Sequence, residues 1–262
     1  MMSQAFLNTL YKRRIVIMNY PSKPPLKGTN HNCCQDMWNS FMVREAVFSP
    51  NDIPFCPTTA VLPPSKMISY DDAKSIHYRE LKKGNYYYHV DAYIHFYIHD
   101  QKFDGKKSSI WLYPEKALDI ISHFSGLIAP DFSTYADFPE PLKVWNIYRM
   151  NAFGYWISTQ GIPVISNVRW GTEETWRYCF DGNPKESMLA LGTVASGIQL
   201  LKNRPLFEAG LFRMVEILKP HTLVVYGSAD YHCFDTIRNQ GVHIVPFPSK
   251  TSEAFAGRKQ HE

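Results

Sequence analysis

The stretch LIAPDFSTYADFPEPLKVWNIYRMNAFGYWISTQGIPVISNVRW, residues 127–170, decides the fold. It opens on Leu127-Ile128-Ala129, a short apolar strand that ends at Pro130-Asp131. Leu142, Val144-Trp145, Tyr148 and Ala152 follow as a long helix, stopped at Gly161. Pro163 to Val168 is again short and apolar, and ends at Arg169-Trp170. A strand, a helix and a second strand in this order make a parallel βαβ unit, because parallel strands need a long crossover and a helix supplies it.

The alternation extends in both directions. Upstream, Lys66 to Tyr70 reads as a strand ending at Asp71-Asp72, and Tyr93 to Ile98 as a stronger one ending at His99-Asp100. Pro114 opens a helix through Ala117, Leu118, Ile121 and Phe124, stopped by Gly126. Downstream, Thr172 caps a short helix through Trp176 and Phe180, and Met188 to Val194 is a strand. Pro205 opens a helix through Leu206, Phe212 and Val215 to Lys219. Leu223 to Tyr226 is a strand, Phe234 to Asn239 a short helix, and Val242 to Val245 the last strand. Seven strands alternating with helices predict an α/β fold: an irregular or incomplete β/α (TIM-like) barrel over residues 67–248, with an open doubly wound sheet as the alternative. The charged, tyrosine-rich segment between Asp72 and Asp91, with Tyr86-Tyr87-Tyr88, is expected to be a loop or hairpin over one end of the barrel.

Residues 1–66 are broken by Pro21, Pro24, Pro25, Pro50, Pro54, Pro57, Pro63 and Pro64, with a short strand expected at Ile15 to Met18. They are expected to form an irregular N-terminal wrap packed on the main domain, and residues 249–262 a polar C-terminal tail.

A chain of 262 residues, 45% hydrophobic and 20% charged, is neither disordered nor a coiled coil nor a disulfide miniprotein. The net charge of +4 is mild, and the basic runs Lys12-Arg13-Arg14, Lys82-Lys83, Lys106-Lys107 and Arg258-Lys259 are short, as solvated faces are. No stretch approaches the ~18 apolar residues of a membrane span. Cys33, Cys34, Cys56, Cys179 and Cys233 have no framework spacing, and no secretory signal is visible, so a reducing cytoplasm is expected. His31, Cys33, Cys34 and Cys56 have the side-chain types of a zinc set. Adjacent cysteines rarely reach one tetrahedral ion, so no metal site is assigned. His95 and His99 fall on one face of their strand and read as packing residues before they read as ligands.

In parallel α/β folds, chemistry gathers at the carboxyl ends of the strands. Three successive strands end in Asp100, Asp131 and Arg169, which a barrel would turn toward one mouth. Two carboxylates there can act as acid and base or hold a cation, and the arginine can clamp an anion. Asp131 and Asp100 are therefore the candidate catalytic pair, and Tyr226 is expected on the pocket wall. Arg169, Trp170, Thr193, Ser196, Tyr226 and Ser228 are the candidate ligand-binding residues, the hydroxyl-bearing glycine turns after the late strands being a common phosphate site. Strand ends are also polar simply because they reach the surface. Arg149 is the rival partner for Asp131, in a purely structural bridge.

Three segments carry a family resemblance: Ala129-Pro130-Asp131-Phe132-Ser133-Thr134-Tyr135; Val144-Trp145-Asn146-Ile147-Tyr148-Arg149 with Gly154-Tyr155-Trp156 and Gly161; and Pro163-Val164-Ile165 through Trp170 to Phe180-Asp181-Gly182-Asn183-Pro184-Lys185. They resemble a prokaryotic and phage family, domain of unknown function 4417, over roughly residues 65–248. The resemblance implies a protein of a phage or mobile element. It brings no reaction, cofactor or catalytic residue. The residues themselves point to an anionic, nucleotide-like or phosphate-bearing small molecule at the barrel mouth. The alternative is a non-catalytic module that binds nucleic acid or a host protein.

Overall fold

The computed structural model describes residues 38–252. The strand expected at Ile15 to Met18, the first three prolines, the terminal basic runs Lys12-Arg13-Arg14 and Arg258-Lys259, and His31, Cys33 and Cys34 lie outside the described residues. The chain divides into two units, Met1–Arg44 and Glu45–Glu262. In the first, the described residues form one 3-10 turn, Ser40–Val43.

The second unit carries seven strands in strict alternation with helices. They are β1 Met67–Ser69, α1 Tyr70–Lys82, β2 Val90–His95, α2 Pro114–Ile121, β3 Phe124–Ile128, α3 Glu140–Thr159 and β4 Val164–Asn167. There follow α4 Trp176–Cys179, β5 Met188–Gly192, α5 Arg204–Leu218, β6 Thr222–Tyr226, α6 His232–Asn239 and β7 His243–Phe247. Every pairing is parallel, and the strand order is β1-β2-β3-β4-β5-β6-β7. A doubly wound sheet needs a reversal of strand order. Here each crossover advances one strand in the same direction, so crossovers of a single hand put the helices on one face. The sheet curls into an incomplete barrel with β1 and β7 as its edges.

The curl shows in side chains that meet across the interior. Tyr97, just past β2, stacks on Tyr226 of β6 with ring centroids 5.3 Å apart, and His95 lies 4.2 Å from the same ring. Ile128, Ile165, Met188, Ala190 and Val224 complete this inner core. Lys250, beyond β7, pairs with Asp72 at the start of α1 and so links the two edges. The segment before β1 supplies part of the filling. Thr58 and Thr59 hydroxyls accept from the backbone N–H groups of Ser166 and Val164, Thr58 donates to Met188 O, and Ala60 packs on the inner core. These hydroxyls satisfy main-chain donors of β4 that would otherwise be orphaned in the interior.

Two expectations need correction. The segment after Asp72 is helix, not loop. Ser69 caps it by accepting from Asp72 N–H, and Tyr70, Ala73 and His77 give it a buried face at helical spacing. Gly126 does not stop α2. It lies inside β3, because a Cβ there would fall 2.3 Å from the ring of Tyr93 on β2, and only glycine allows that approach.

Candidate functional site

β3 and β4 deliver the two charged residues expected to meet. Asp131 follows β3 through Ala129-Pro130, and Arg169 follows β4 through Val168. Arg169 Nη1 donates to Asp131 Oδ2 at 2.5 Å, and Arg169 Nε donates to Thr134 Oγ1 at 3.2 Å. Asn167 Nδ2 donates to the other Asp131 oxygen at 3.1 Å and to Pro130 O at 3.0 Å. Tyr97 donates its hydroxyl to Asn167 Oδ1 at 2.8 Å, which fixes the orientation of that amide. The chain Tyr97–Asn167–Asp131–Arg169–Thr134 thus joins the inner core to the mouth. Burial disfavours the charged guanidinium, but the charge and hydrogen bond of Asp131 outweigh it and hold Arg169 above its ordinary pKa. Burial first, and the Asp131 charge second, keep the Tyr97 phenol well above its ordinary value, so it is a donor throughout the physiological range.

The loop from Asp131 to Tyr135 is fastened from behind. Asp100 accepts from Ser133 N–H at 3.1 Å and Ser133 Oγ at 2.9 Å. Asn146 of α3 donates to Ser133 O at 2.5 Å, and Phe132 is fully buried with the Arg149 guanidinium 4.0 Å over its ring. Arg149 pairs with Asp104 at 2.9 Å rather than with Asp131, so the rival structural bridge does not form. Asp100 is also displaced from its expected place. β2 ends at His95, and Asp100 begins a 3-10 turn well beyond it, from which its carboxylate turns to the Ser133 backbone instead of the cavity.

A cavity of about 240 Å³ opens at the carboxyl ends of β3, β4 and β5. Of the candidates, Asp131, Arg169, Trp170 and Ser196 line it; Asp100, Thr193, Tyr226 and Ser228 do not. Tyr226 is held in the inner core by Tyr97 and His95 rather than on the wall. Thr193 is buried and donates to Ser228 O at 3.0 Å, tying two loops together, while the Ser228 hydroxyl accepts from Asp230 N–H. Trp170 packs its indole against Phe207 and over Gly210, where a Cβ would come within 2.1 Å of its Nε1.

Residues that sequence reasoning missed complete the lining. Tyr135, 48% exposed, lies at the rim, its ring perpendicular to that of Phe138 at 5.2 Å and 5.9 Å from the Arg169 guanidinium. Asn203, Leu206 and Phe207 bring the N-terminus of the 15-residue helix α5, and Asn203 makes no side-chain capping bond there. Pro205 marks that helix start in the sequence, but nothing local says that it faces the mouth. Arg169 Nη2 has no hydrogen-bond acceptor among the described residues. The site therefore combines a guanidinium edge, a helix N-terminus with its partial positive charge, and a half-exposed aromatic ring. Among the described residues no group of three or more His, Cys, Asp or Glu is placed to hold a metal ion. Nor is any helix among them long and apolar enough to cross a membrane.

Comparison with known proteins gives a family. The model described as Domain of unknown function (DUF4417) matches residues 46–246. Among curated proteins, the chain is similar to the Gene 1 protein of Mycobacterium phage L5, 33% identical over 143 residues, 54% of this chain and 59% of that protein. It is similar to the Gene 1 protein of Mycobacterium phage D29 at 33% over 139 residues, 53% of this chain and 49% of that protein. The matched region thus spans half to three fifths of these relatives. No solved structure matches the chain significantly.

Proposed function

The chain belongs to the DUF4417 family, and from that premise we propose that its barrel mouth binds a small anionic, nucleotide-like ligand. The observation that carries the reading is Arg169 Nη2, uncommitted among the described residues, on the wall of a cavity that the N-terminus of α5 also enters. Asp131 holds Arg169 in place and neutralises it, so an anion meets a fixed donor edge rather than a mobile cation. Ser196 adds a hydroxyl to the lining, and Tyr135 a ring face on which a base can stack. Trp170 serves as a wall packed on Phe207.

Processing of the ligand, in this reading, falls to Asp131, the one carboxylate on the lining among the described residues. Asp100 acts at one remove, through Ser133, by keeping the loop shaped. A reducing cytoplasm is the compartment the reading assumes; Cys56, Cys179 and Cys233 are free and buried, in keeping with it.

Isothermal titration calorimetry with adenosine monophosphate, adenosine and inorganic phosphate tests the proposal. Adenosine monophosphate is expected to bind, phosphate more weakly, and adenosine not at all. Replacing Arg169 by Met is expected to abolish the nucleotide signal. Equal binding of nucleotide and nucleoside, or no heat with either anion, would overturn it.

A further inference from the structure

On the reading of the barrel mouth as a nucleotide site rests a narrower assignment: we propose that the mouth selects a singly charged phosphodiester, a nucleoside cyclic monophosphate, over the doubly charged monoester and over polyphosphates.

Charge decides first. Among the described residues, Asp131 is the one carboxylate and Arg169 the one cationic side chain on the cavity wall, and the pair sums to zero. The next arginine in the chain, Arg204, turns away: its Nε donates to Ile198 O at 3.2 Å and its guanidinium lies 5.3 Å over the Tyr231 ring. The N-terminus of α5 adds about half a positive charge. A ligand of charge −1 is then balanced to within about half a unit, whereas −2 leaves about one and a half units uncompensated beside the Asp131 carboxylate.

The hydrogen-bond donors agree. In the first turn of α5, Arg204 N–H is spent on Leu200 O, Pro205 has none, and Phe207 N–H goes to Asn203 O. Leu206 N–H is left without a backbone acceptor among the described residues. Arg169 Nη2 and the Asn203 carboxamide, which caps nothing, are two further uncommitted donors on the wall. The Ser196 hydroxyl already donates to Thr193 O at 2.8 Å. This small set suits the two unesterified oxygens of a diester. It leaves the three oxygens of a monoester, and still more those of a polyphosphate, short of partners. Size points the same way. At about 240 Å³ the cavity falls below the ~300–1,000 Å³ of most ligand pockets. A cyclic ester, its phosphate tied back to the sugar, is more compact than the open monoester and loses less freedom on binding.

The charge preference has a signature carried by the ligand. The second ionisation of a phosphate monoester lies near pH 6, so between pH 7.5 and 5.5 its singly charged share rises from about 3% to about 75%, roughly 25-fold. A diester stays singly charged over that range. The ionisable groups on the wall are Asp131, Arg169 and Tyr135, and no histidine is among them. A site that prefers the single charge raises the phosphate pKa of the bound monoester, so monoester affinity climbs as pH falls while diester affinity stays level.

The test is isothermal titration calorimetry of the full chain at pH 7.5, 6.5 and 5.5 with cyclic adenosine monophosphate, adenosine monophosphate, adenosine diphosphate and the dinucleotide adenylyl-adenosine. The cyclic nucleotide is expected to bind about tenfold tighter than the monoester at pH 7.5, with the diphosphate weaker still. Toward pH 5.5 the monoester is expected to tighten by about fivefold or more, and the cyclic ester to stay level. The dinucleotide carries the same diester in the form a nucleic-acid strand offers, and is expected to bind more weakly than the cyclic ester. Asp131→Asn, which removes the opposing carboxylate, is expected to bring monoester and cyclic ester within about threefold of each other; the wild-type series decides the matter even without that variant. Monoester as tight as cyclic ester at pH 7.5, a monoester affinity that does not rise as pH falls, or a dinucleotide tighter than the cyclic ester would overturn the proposal and leave the mouth a nucleotide site. No heat with any of the nucleotides would overturn both.

Discussion

Replacing Asp131 by Asn separates the two jobs assigned to its ion pair. Removing one member of a fully buried pair costs about 3–5 kcal/mol. Here the side chains of Asp131 and Arg169 retain 10% and 16% exposure, and Arg169 keeps its bond to Thr134. The penalty is therefore discounted to about 2 kcal/mol, or roughly 4–8 °C in melting temperature for a domain of this size. The same change frees Nη1 to join Nη2 as a two-pronged donor and takes the pair's charge from zero to +1. Phosphate should then bind the variant more tightly than the wild type, and at 100 times its Kd return about 2.7 kcal/mol. The assay is thermal unfolding of wild type, Asp131→Asn and the Asp131→Asn, Arg169→Met double variant across a phosphate series. The double variant reports the general stabilising effect of the salt. A phosphate response above that baseline in both wild type and Asp131→Asn, and larger in Asp131→Asn, is expected. A melting temperature equal to wild type, together with equal phosphate responses in all three proteins, would refute the reasoning.

Other expectations follow from groups away from the pair. Burial, with the charge of Lys250 adding to it and that of Asp72 opposing, pushes His95 down to about 3. An unfolded histidine titrates near 6.5, so the unfolded state binds the extra proton between these values. Stability is complete above about pH 6.5 and falls as pH drops toward 3, by at most about 1.4 kcal/mol per unit. Urea unfolding at pH 7, 6 and 5 should show this loss in the wild type and a shallower one in His95→Gln; parallel lines would contradict it. Burial pushes the Cys56 thiol up to about 12 and that of Cys233 to about 11, and raises Cys179 as well. Peptide mapping after native iodoacetamide treatment should find these three unlabelled, and labelled once the chain is unfolded. Gly210→Ala puts a methyl into the indole of Trp170 and should cost about 1–3 kcal/mol while shifting tryptophan fluorescence, since the ring must leave its wall; unchanged emission and stability would show the wall to be soft.

The fold was legible because its signal is repetitive. Short apolar runs ending in polar residues mark all seven strands, and Pro114 and Pro205 sit in the first turn of α2 and α5. The errors came where a local signal has two meanings. Gly126 reads as a helix stop, but its use is steric, beneath Tyr93, and that contact is made across two strands. α1 was hidden because its buried face is Tyr70, Ala73 and His77, none of which scores as strongly apolar. The site was legible where it depends on strand ends alone, as at Asp131 and Arg169. Asp100 was misplaced because its strand ends earlier than its sequence suggests. Tyr226 points inward because the curl brings β2 and β6 together, a consequence of sheet geometry rather than of any local pattern. The meeting of α5 with the mouth is likewise a long-range fact.

The most direct test is a crystal structure of the protein grown with adenosine monophosphate. The phosphate is expected against Arg169 Nη2 and the first turn of α5, with the base on the Tyr135 ring. A nucleotide bound elsewhere, or an empty mouth at a concentration well above the calorimetric Kd, would contradict it.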